Sequence, residues 1–469
     1  MRRLVCLAAL AAAATGFVGL PPAAANPPPV ESFDHSPNMQ AVGFSPQANT
    51  VTPFTANSDL AFWGKTAFQG HYDGFRVIDI RSPAHPRQIS FQECFGDQGD
   101  IVVWDHILIR SWNSAAHHPM GAAAADLSDV QQAPMIPTCD GQEVPEGFEG
   151  LHIFDISNLA DPVLVGSVDL ECGSHTATAA PDLANDRLIV YSNVSSGCDF
   201  TDIVEVPLSN PAGTHLLRRE PLEGPVTPTV TPGCHDMAVI QGTTNLAACA
   251  GNDVTNVFDI GDNAFPGGTL EDPELLYTIQ EPGVGDLTQG SGRWHSAAFT
   301  WDGQVITLGW EPAGGGGPRC TATGTVLPGG VVQTDTHKSW FFYDAATGAK
   351  LGQFVMPRPQ SVEENCTVHN YNVVPTRQGH VLVSGNYQSG ISVVDFSDPA
   401  NAQEIAFADP APLTPTNLGG DWSTYWYNGR IYESDITRGL IVWHLRDPAV
   451  KGARHLDHLN PQTIDVTLR

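Results

Sequence analysis

A short apolar strand, an acidic residue and then a turn containing Pro or Gly recur along the whole chain. The copies are GFRVIDIRSPAHP (74–86), LHIFDISNLADP (151–162), DIVEVPLSNPAG (202–213) and TNVFDIGDNAFP (255–266), followed by WFFYDAATGAK (340–350), ISVVDFSDPANA (391–402) and LIVWHLRDPAVK (440–451). Their equivalent positions are Asp79, Asp155, Glu205, Asp259, Asp344, Asp395 and His444, separated by 76, 50, 54, 85, 51 and 49 residues. Four intervals lie near fifty and the two long ones contain insertions, so the chain holds seven copies of one unit. A period of this length marks stacked supersecondary units rather than independent domains.

The sixth copy shows what the unit contains. HNYNVVP (369–375), HVLVSGN (380–386), ISVVDFS (391–397) and AQEIAFA (402–408) are four short strands separated by tight turns. Such a sheet cannot bury both faces alone, but seven stacked around an axis bury each other and leave only short edges. The fold expected is all-β, a seven-bladed β-propeller of four-stranded blades spanning 38–469. A Pro-rich segment (26–37) and a cleaved signal peptide (1–25) precede it. Arg2 and Arg3, the apolar stretch Leu4 to Leu20 and the small residues Ala23 to Ala25 form the three parts of an export signal. The tail TIDVTL (463–468) is expected to close the ring by pairing with N-terminal residues.

The segments GFRVIDIRSPAHP, LHIFDISNLADP and ISVVDFSDPANA resemble the LVIVD repeat, in which a Pro-containing turn follows the aspartate. The resemblance implies a secreted or surface bacterial β-propeller and implies little about activity. The repeated aspartate has a plain role, accepting backbone N–H groups in the turn that follows it.

Composition narrows the function. With 51 acidic against 22 basic residues the net charge is −29, and Lys occurs four times. That disfavours a nucleic-acid binder, which needs a concentrated basic face. No apolar run after the N-terminus reaches membrane-spanning length, so no stable membrane anchor is expected. Beyond the signal lie Cys94, Cys139, Cys172, Cys198, Cys234, Cys249, Cys320 and Cys366. An even number in an exported chain, with no CxxC pair, points to disulfides. Pairing in sequence order would pin the two insertions (114–149 and 312–336) and two loops of blades three and four. Localisation is expected to be secreted, in the extracellular space.

The first strand of each blade lines the channel, and its start marks one face of the disc. His175, His235, His295 and His369 stand at nearly the same point of four consecutive blades, 60, 60 and 74 residues apart. Blade one offers His35 with its register off by two, and blades two and seven offer Asp100 and Asp421. The turn after the second strand falls on the same face, with Lys65, Asn113, Asn193, Asp253, Glu311, Asn386 and Asp435. Amides and carboxylates behind imidazoles are what a ligating histidine needs for its other N–H. The four histidines are therefore candidate ligands for Cu or Zn, and Asn193, Asp253, Glu311, Asn386 and Asp435 candidate supports or ligand contacts. The plain alternative is that each histidine bonds a neighbouring blade and closes the channel with water. Copper-dependent propellers with channel histidines, such as the selenium-binding and methanethiol oxidase group, are similar in architecture only.

No nucleophile motif accompanies these residues. The leading expectation is an extracellular protein that binds a small molecule or a protein partner, with a histidine-ring metal site at one mouth of the channel. The alternative is a metal-dependent oxidase or hydrolase working at the same histidines.

Overall fold

Each repeat unit folds into a twisted antiparallel sheet because its inner strands are buried on both faces and its turns carry the residues that reverse the chain. The computed structural model describes residues 27–47, 56–95, 98–113, 137–194, 197–225, 232–261, 267–284, 292–312, 322–326, 332–358, 364–365, 367–412 and 419–468. Residues 1–25, where the export signal is expected, lie outside them.

Seven sheets make the ring. Blade 1 runs Asn57–Trp63, Thr66–His71, Gly74–Asp79 and Arg87–Glu93, and blade 2 Ile101–Trp104, Ile107–Trp112, Gly150–Asp155 and Val163–Asp169. Blade 3 holds Thr176–Asp182, Arg187–Asn193, Phe200–Pro207 and His215–Pro221. Blade 4 holds Asp236–Ile240, Leu246–Ala250, Thr255–Asp259 and Glu274–Ile279. Blade 5 comprises Gly292–Phe299, Val305–Pro312, Ser339–Asp344 and Lys350–Val355. Blade 6 comprises Tyr371–Val373, Val381–Gly385, Ile391–Asp395 and Gln403–Asp409.

Blade 7 closes the circle. Its three inner strands are Asp421–Tyr427, Arg430–Asp435 and Gly439–Leu445, and its outer strand is the N-terminal Met39–Pro46, antiparallel to Gly439–Leu445. The expected pairing of the tail with the N-terminus is therefore corrected. His458–Leu459 pairs instead with Phe62 and Trp63 at the end of blade 1's inner strand. Thr463–Ile464 then runs parallel to Val239 and Ile240 of blade 4. Between them Asn460 bonds both the N–H and the carbonyl of Val103 at 2.9 Å, and Thr463 Oγ1 donates to Ala179 O at 2.8 Å. The tail thus ties together the inner strands of blades 1 to 4.

The repeated motif has a structural purpose at each position. Asp79, Asp155, Asp259, Asp344 and Asp395 each accept a backbone N–H two residues on, at 2.8–3.1 Å. In Glu205 the acid turns to Arg187 instead, 2.7 Å away. The register between third and fourth strands slips at one place in blades 1 to 6, one or two residues before the acidic position. Such bulges sharpen the twist that lets blades nest. The Pro-containing turn then leans on the outer strand of the preceding blade. A Cβ on Gly352 of blade 5 would collide with the Pro399 carbonyl of blade 6, and one on Gly43 with that of Pro83.

Three disulfides follow sequence order: Cys94–Cys139, Cys172–Cys198 and Cys234–Cys249. The pairing expected for Cys320 and Cys366 lies outside the described residues. No helix among the described residues is long and apolar enough to cross a membrane.

Candidate metal centre at the channel mouth

The histidines are brought together by a shared backbone bond. The N–H of His175 donates to Asn193 O at 2.7 Å, that of His235 to Ala250 O at 2.7 Å, and that of His369 to Gly385 O at 3.2 Å. Each acceptor ends or follows the second strand of the same blade, so three blades start their inner strand identically. His295 sits within Gly292–Phe299, at a register slip between Trp294 and Ser296.

The result is a row of rings along one side of the mouth. Centroids lie 4.6 Å apart for His175–His235, 4.0 Å for His235–His295 and 4.3 Å for His295–His369. Tyr387 continues the row, 4.2 Å from His369, and Trp422 of blade 7 packs edge-on against His369 at 5.1 Å. His235 Nδ1 meets the His295 carbonyl at 3.1 Å, and His369 Nδ1 likewise meets the carbonyl of Trp422. An Nδ1–H spent on the next blade leaves Nε2 as the lone-pair nitrogen, the tautomer a metal requires.

Glu311 ends the second strand of blade 5 and points into this row. Its oxygens lie 3.5 Å from His295 Nε2 and 3.8 Å from His369 Nε2. The Tyr387 hydroxyl bridges Glu311 at 3.1 Å and His369 Nε2 at 2.8 Å. His235, His295 and Glu311 each present a ligand atom within 4.8 Å of the others, and all three are buried. His175 stands outside this trio, with Nδ1 held by Asn113 at 2.7 Å and Gln98 reaching its ring.

Desolvation sets the charge state. Burial lowers His175 and His369 to about 3 and pushes His235 and His295 well below the ordinary imidazole range. The neighbouring histidines and Arg293 add to the effect on His235 and His295. Burial also raises Glu311 to about 7, against the opposing pull of Arg293 and Tyr387. The imidazoles are therefore neutral at pH 7, and the Nε2 lone pair of His235 is left available by its Nδ1 contact, while Arg293 opposes the burial that raises Glu311.

Beneath the row lies a carboxylate layer. Tyr425 donates to Asp59 Oδ1 at 2.6 Å, Ser423 bonds the same oxygen, and Gln462 of the tail donates to Oδ2 at 3.3 Å. Asp100 accepts from Ala177 N at 2.8 Å. Burial and the charge of Asp59 raise both Asp100 and Asp236 well above the usual range.

The other residues singled out from sequence go elsewhere. Asn193 bonds Thr176 (3.2 Å) and Thr201 (2.9 Å), and Thr176 in turn bonds the His235 carbonyl at 2.6 Å. It braces the backbone that carries His235. Asn386 closes its own turn onto Gly390 O at 3.0 Å. Asp253 is half-buried and raised by that burial, and is not among the side chains at the row. Asp435 and Asp421 join Glu433 in a separate group. His35 lies on the outer edge of blade 6, paired with Ala408. Sequence reading passed over Tyr387, Gln98, Arg293, Asp59 and Asp236, which no motif marks.

Fold and site together define a seven-bladed propeller with a histidine- and carboxylate-lined channel mouth. The LVIVD repeat family model matches residues 147–170, the third and fourth strands of blade 2 and the turn between them. No curated protein matches the chain. Among solved structures, a chain of one described as "Crystal Structure of Mitotic Checkpoint Complex" is similar at 12% identity and a TM-score of 0.46, over 86% of this chain and 98% of that one.

Proposed function

We propose that this chain is an exported binding propeller that captures its ligand at the histidine mouth, with a Zn or Cu ion held by His235, His295 and Glu311. The observation that carries the reading is the convergence of those three ligand atoms within 4.8 Å on buried side chains. Two imidazoles and one carboxylate form a donor set suited to Zn or Cu and leave a coordination position for a bound molecule. The three disulfides support export, since such bonds persist in oxidising compartments. The partner on this reading is a small molecule or an extracellular protein that reaches the mouth.

A second reading, a metal-dependent oxidase or hydrolase, draws support from one contact. The Tyr387 hydroxyl bridges Glu311 and His369, and Glu311 is poised near 7, where a carboxylate exchanges protons readily. Elemental analysis of the purified full chain, stripped and then reloaded with Zn or Cu, tests both readings. One equivalent of metal that is lost in the His235→Ala, His295→Ala double variant is expected. A wild-type chain that binds neither metal, and whose melting temperature neither metal raises, overturns both.

A further inference from the structure

Blade 7 contains a second cluster, remote in composition from the histidine row. Asp421 opens the inner strand Asp421–Tyr427, and Glu433 and Asp435 lie on Arg430–Asp435. All three are 0% exposed, and one oxygen from each lies within 4.8 Å of the others. Asp435 accepts from Thr437 N at 2.9 Å, Arg438 N at 2.7 Å and Arg438 Nη1 at 2.6 Å. Asp421 Oδ2 accepts from Thr424 at 3.1 Å, and Glu433 Oε2 from Trp443 Nε1 at 2.5 Å. Their other oxygens, Asp421 Oδ1 and Glu433 Oε1, are fully buried and meet no donor from the rest of the chain, and the two side chains lie within hydrogen-bond reach of each other.

The charge count is unbalanced. Three carboxylates face one guanidinium, Arg438, which acts on all of them. With all three ionised, two negative charges would remain in a site from which water is excluded, and an unpaired buried charge is strongly unfavourable. Either two protons or one divalent cation neutralises them.

We infer that Asp421, Glu433 and Asp435 hold a calcium ion inside blade 7. Oxygen-only donors select a hard cation rather than Zn or Cu. Calcium accepts six to eight oxygens in irregular arrangements, whereas magnesium demands near-octahedral geometry that ligands fixed by a sheet do not readily supply. Burial raises Asp421 well above the carboxylate range and Glu433 to about 7, as expected of acids missing a counter-charge. The third carboxylate- or thiol-bearing group, Cys94, Cys139 and His152, has its sulfurs committed to a disulfide.

The location gives the ion a task. The Trp443 that holds Glu433 packs on Phe33 with centroids 5.8 Å apart, and Arg438 lies 5.1 Å over the same Phe33 ring. Calcium would therefore brace the blade in which the N-terminal strand closes the ring, and an exported chain would close most firmly where calcium is plentiful.

The test uses the full chain, unfolded and refolded in the presence of chelator to remove ions trapped at folding. Calcium chloride added during refolding should leave one calcium per chain by elemental analysis and raise the melting temperature by several degrees over the chelated form. Glu433→Gln should lose both effects, and Asp421→Asn provides a second variant should the first fold poorly. His235→Ala, His295→Ala should retain both, which separates this site from the proposed transition-metal site. Wild-type chain refolded in calcium that carries none and melts at the chelated temperature overturns the inference and leaves a pair of carboxyls that share protons.

Discussion

The Nδ1 of His235 donates to the backbone carbonyl of His295 at 3.1 Å, so the side chain of blade 4 is aimed by the backbone of blade 5. One contact both joins two blades and fixes which imidazole nitrogen faces the channel. Truncating His235 consequently removes a proposed ligand and an inter-blade bond together, whereas truncating His175 removes no member of the proposed ligand trio.

Metal dependence should divide the row accordingly. Zn or Cu should raise the melting temperature of wild-type protein and of His175→Ala, but of neither His235→Ala nor His295→Ala. In the metal-free state His235→Ala should itself be less stable by about 1–3 kcal/mol, the range for a lost buried hydrogen-bond partner. Thermal melts of the four proteins with and without metal check both statements. An equal metal response in His235→Ala would remove that residue from the ligand set.

Acid should destabilise the metal-free protein through these same histidines. His369 is lowered to about 3 in the folded chain, against about 6.5 for an unfolded histidine. Between those values the unfolded state binds a proton that the native state refuses. Stability is therefore full above about pH 6.5 and falls as pH drops toward 3, by up to about 1.4 kcal/mol per pH unit for each such group. Glu311 works in the opposite sense: raised to about 7, it contributes stability below about 4.3 that is lost as pH rises through 7. On acidification from pH 6.5 to 4, denaturant midpoints should fall less steeply in His369→Gln than in wild type and more steeply in Glu311→Gln, which lacks the stability that Glu311 gains as pH falls from 7 to about 4.3.

The propeller and the histidine row were legible in the sequence because both follow from one period. Each blade must start its inner strand at the same place, so a residue type repeated at that start is bound to meet itself across the channel. The supports behind it were legible only in part. Of the equivalent turn positions Asn113 reaches the His175 ring and Glu311 those of His295 and His369, whereas Asn193 and Asn386 brace backbone. The slip between Trp294 and Ser296 changes the pairing of blade 5 near Arg293 and Glu311, and no local propensity announces it. Closure was hidden for a different reason. Met39–Pro46 reads as an ordinary edge strand, and its partner Gly439–Leu445 lies some four hundred residues away. The tail was misassigned because its short strands, His458–Leu459 and Thr463–Ile464, are too brief to show a pattern.

Removing the Cys234–Cys249 bridge should cost roughly 3 kcal/mol on the chain-entropy account, since it closes a loop with a sequence separation of 15. Its effect should extend beyond stability, because Cys234 immediately precedes His235 and Cys249 pairs across to Met237 in the adjacent strand. A Cys234→Ser, Cys249→Ser double variant should show a lower denaturant midpoint and weaker Zn or Cu binding than wild type. Doubly substituting Cys94 and Cys139, which join the end of blade 1's outer strand to blade 2's insertion rather than flank a row histidine, should lower the midpoint and leave metal affinity unchanged.

The tail offers the sharpest test of how the ring is held. Asn460 satisfies both backbone groups of Val103 at 2.9 Å, on the channel side of blade 2, where no other strand is available to do so. Asn460→Ala leaves an N–H and a carbonyl without their partner, at a cost of about 1–3 kcal/mol for each buried group that water does not reach. Asn460→Asp keeps the acceptor for Val103 N–H but places a carboxylate against the Val103 carbonyl, so it should not rescue. Gln462→Ala acts on a different layer, releasing Asp59 from one of its donors. Hydrogen exchange distinguishes a local clasp from a global one. If the tail ties blades 1 to 4 together, Asn460→Ala should accelerate exchange at inner-strand amides of blades 1, 2 and 4, including Val103 and Val239, before it affects blades 5 and 6. Uniform acceleration around the ring would instead mean that the tail is one more contribution to a single cooperative unit.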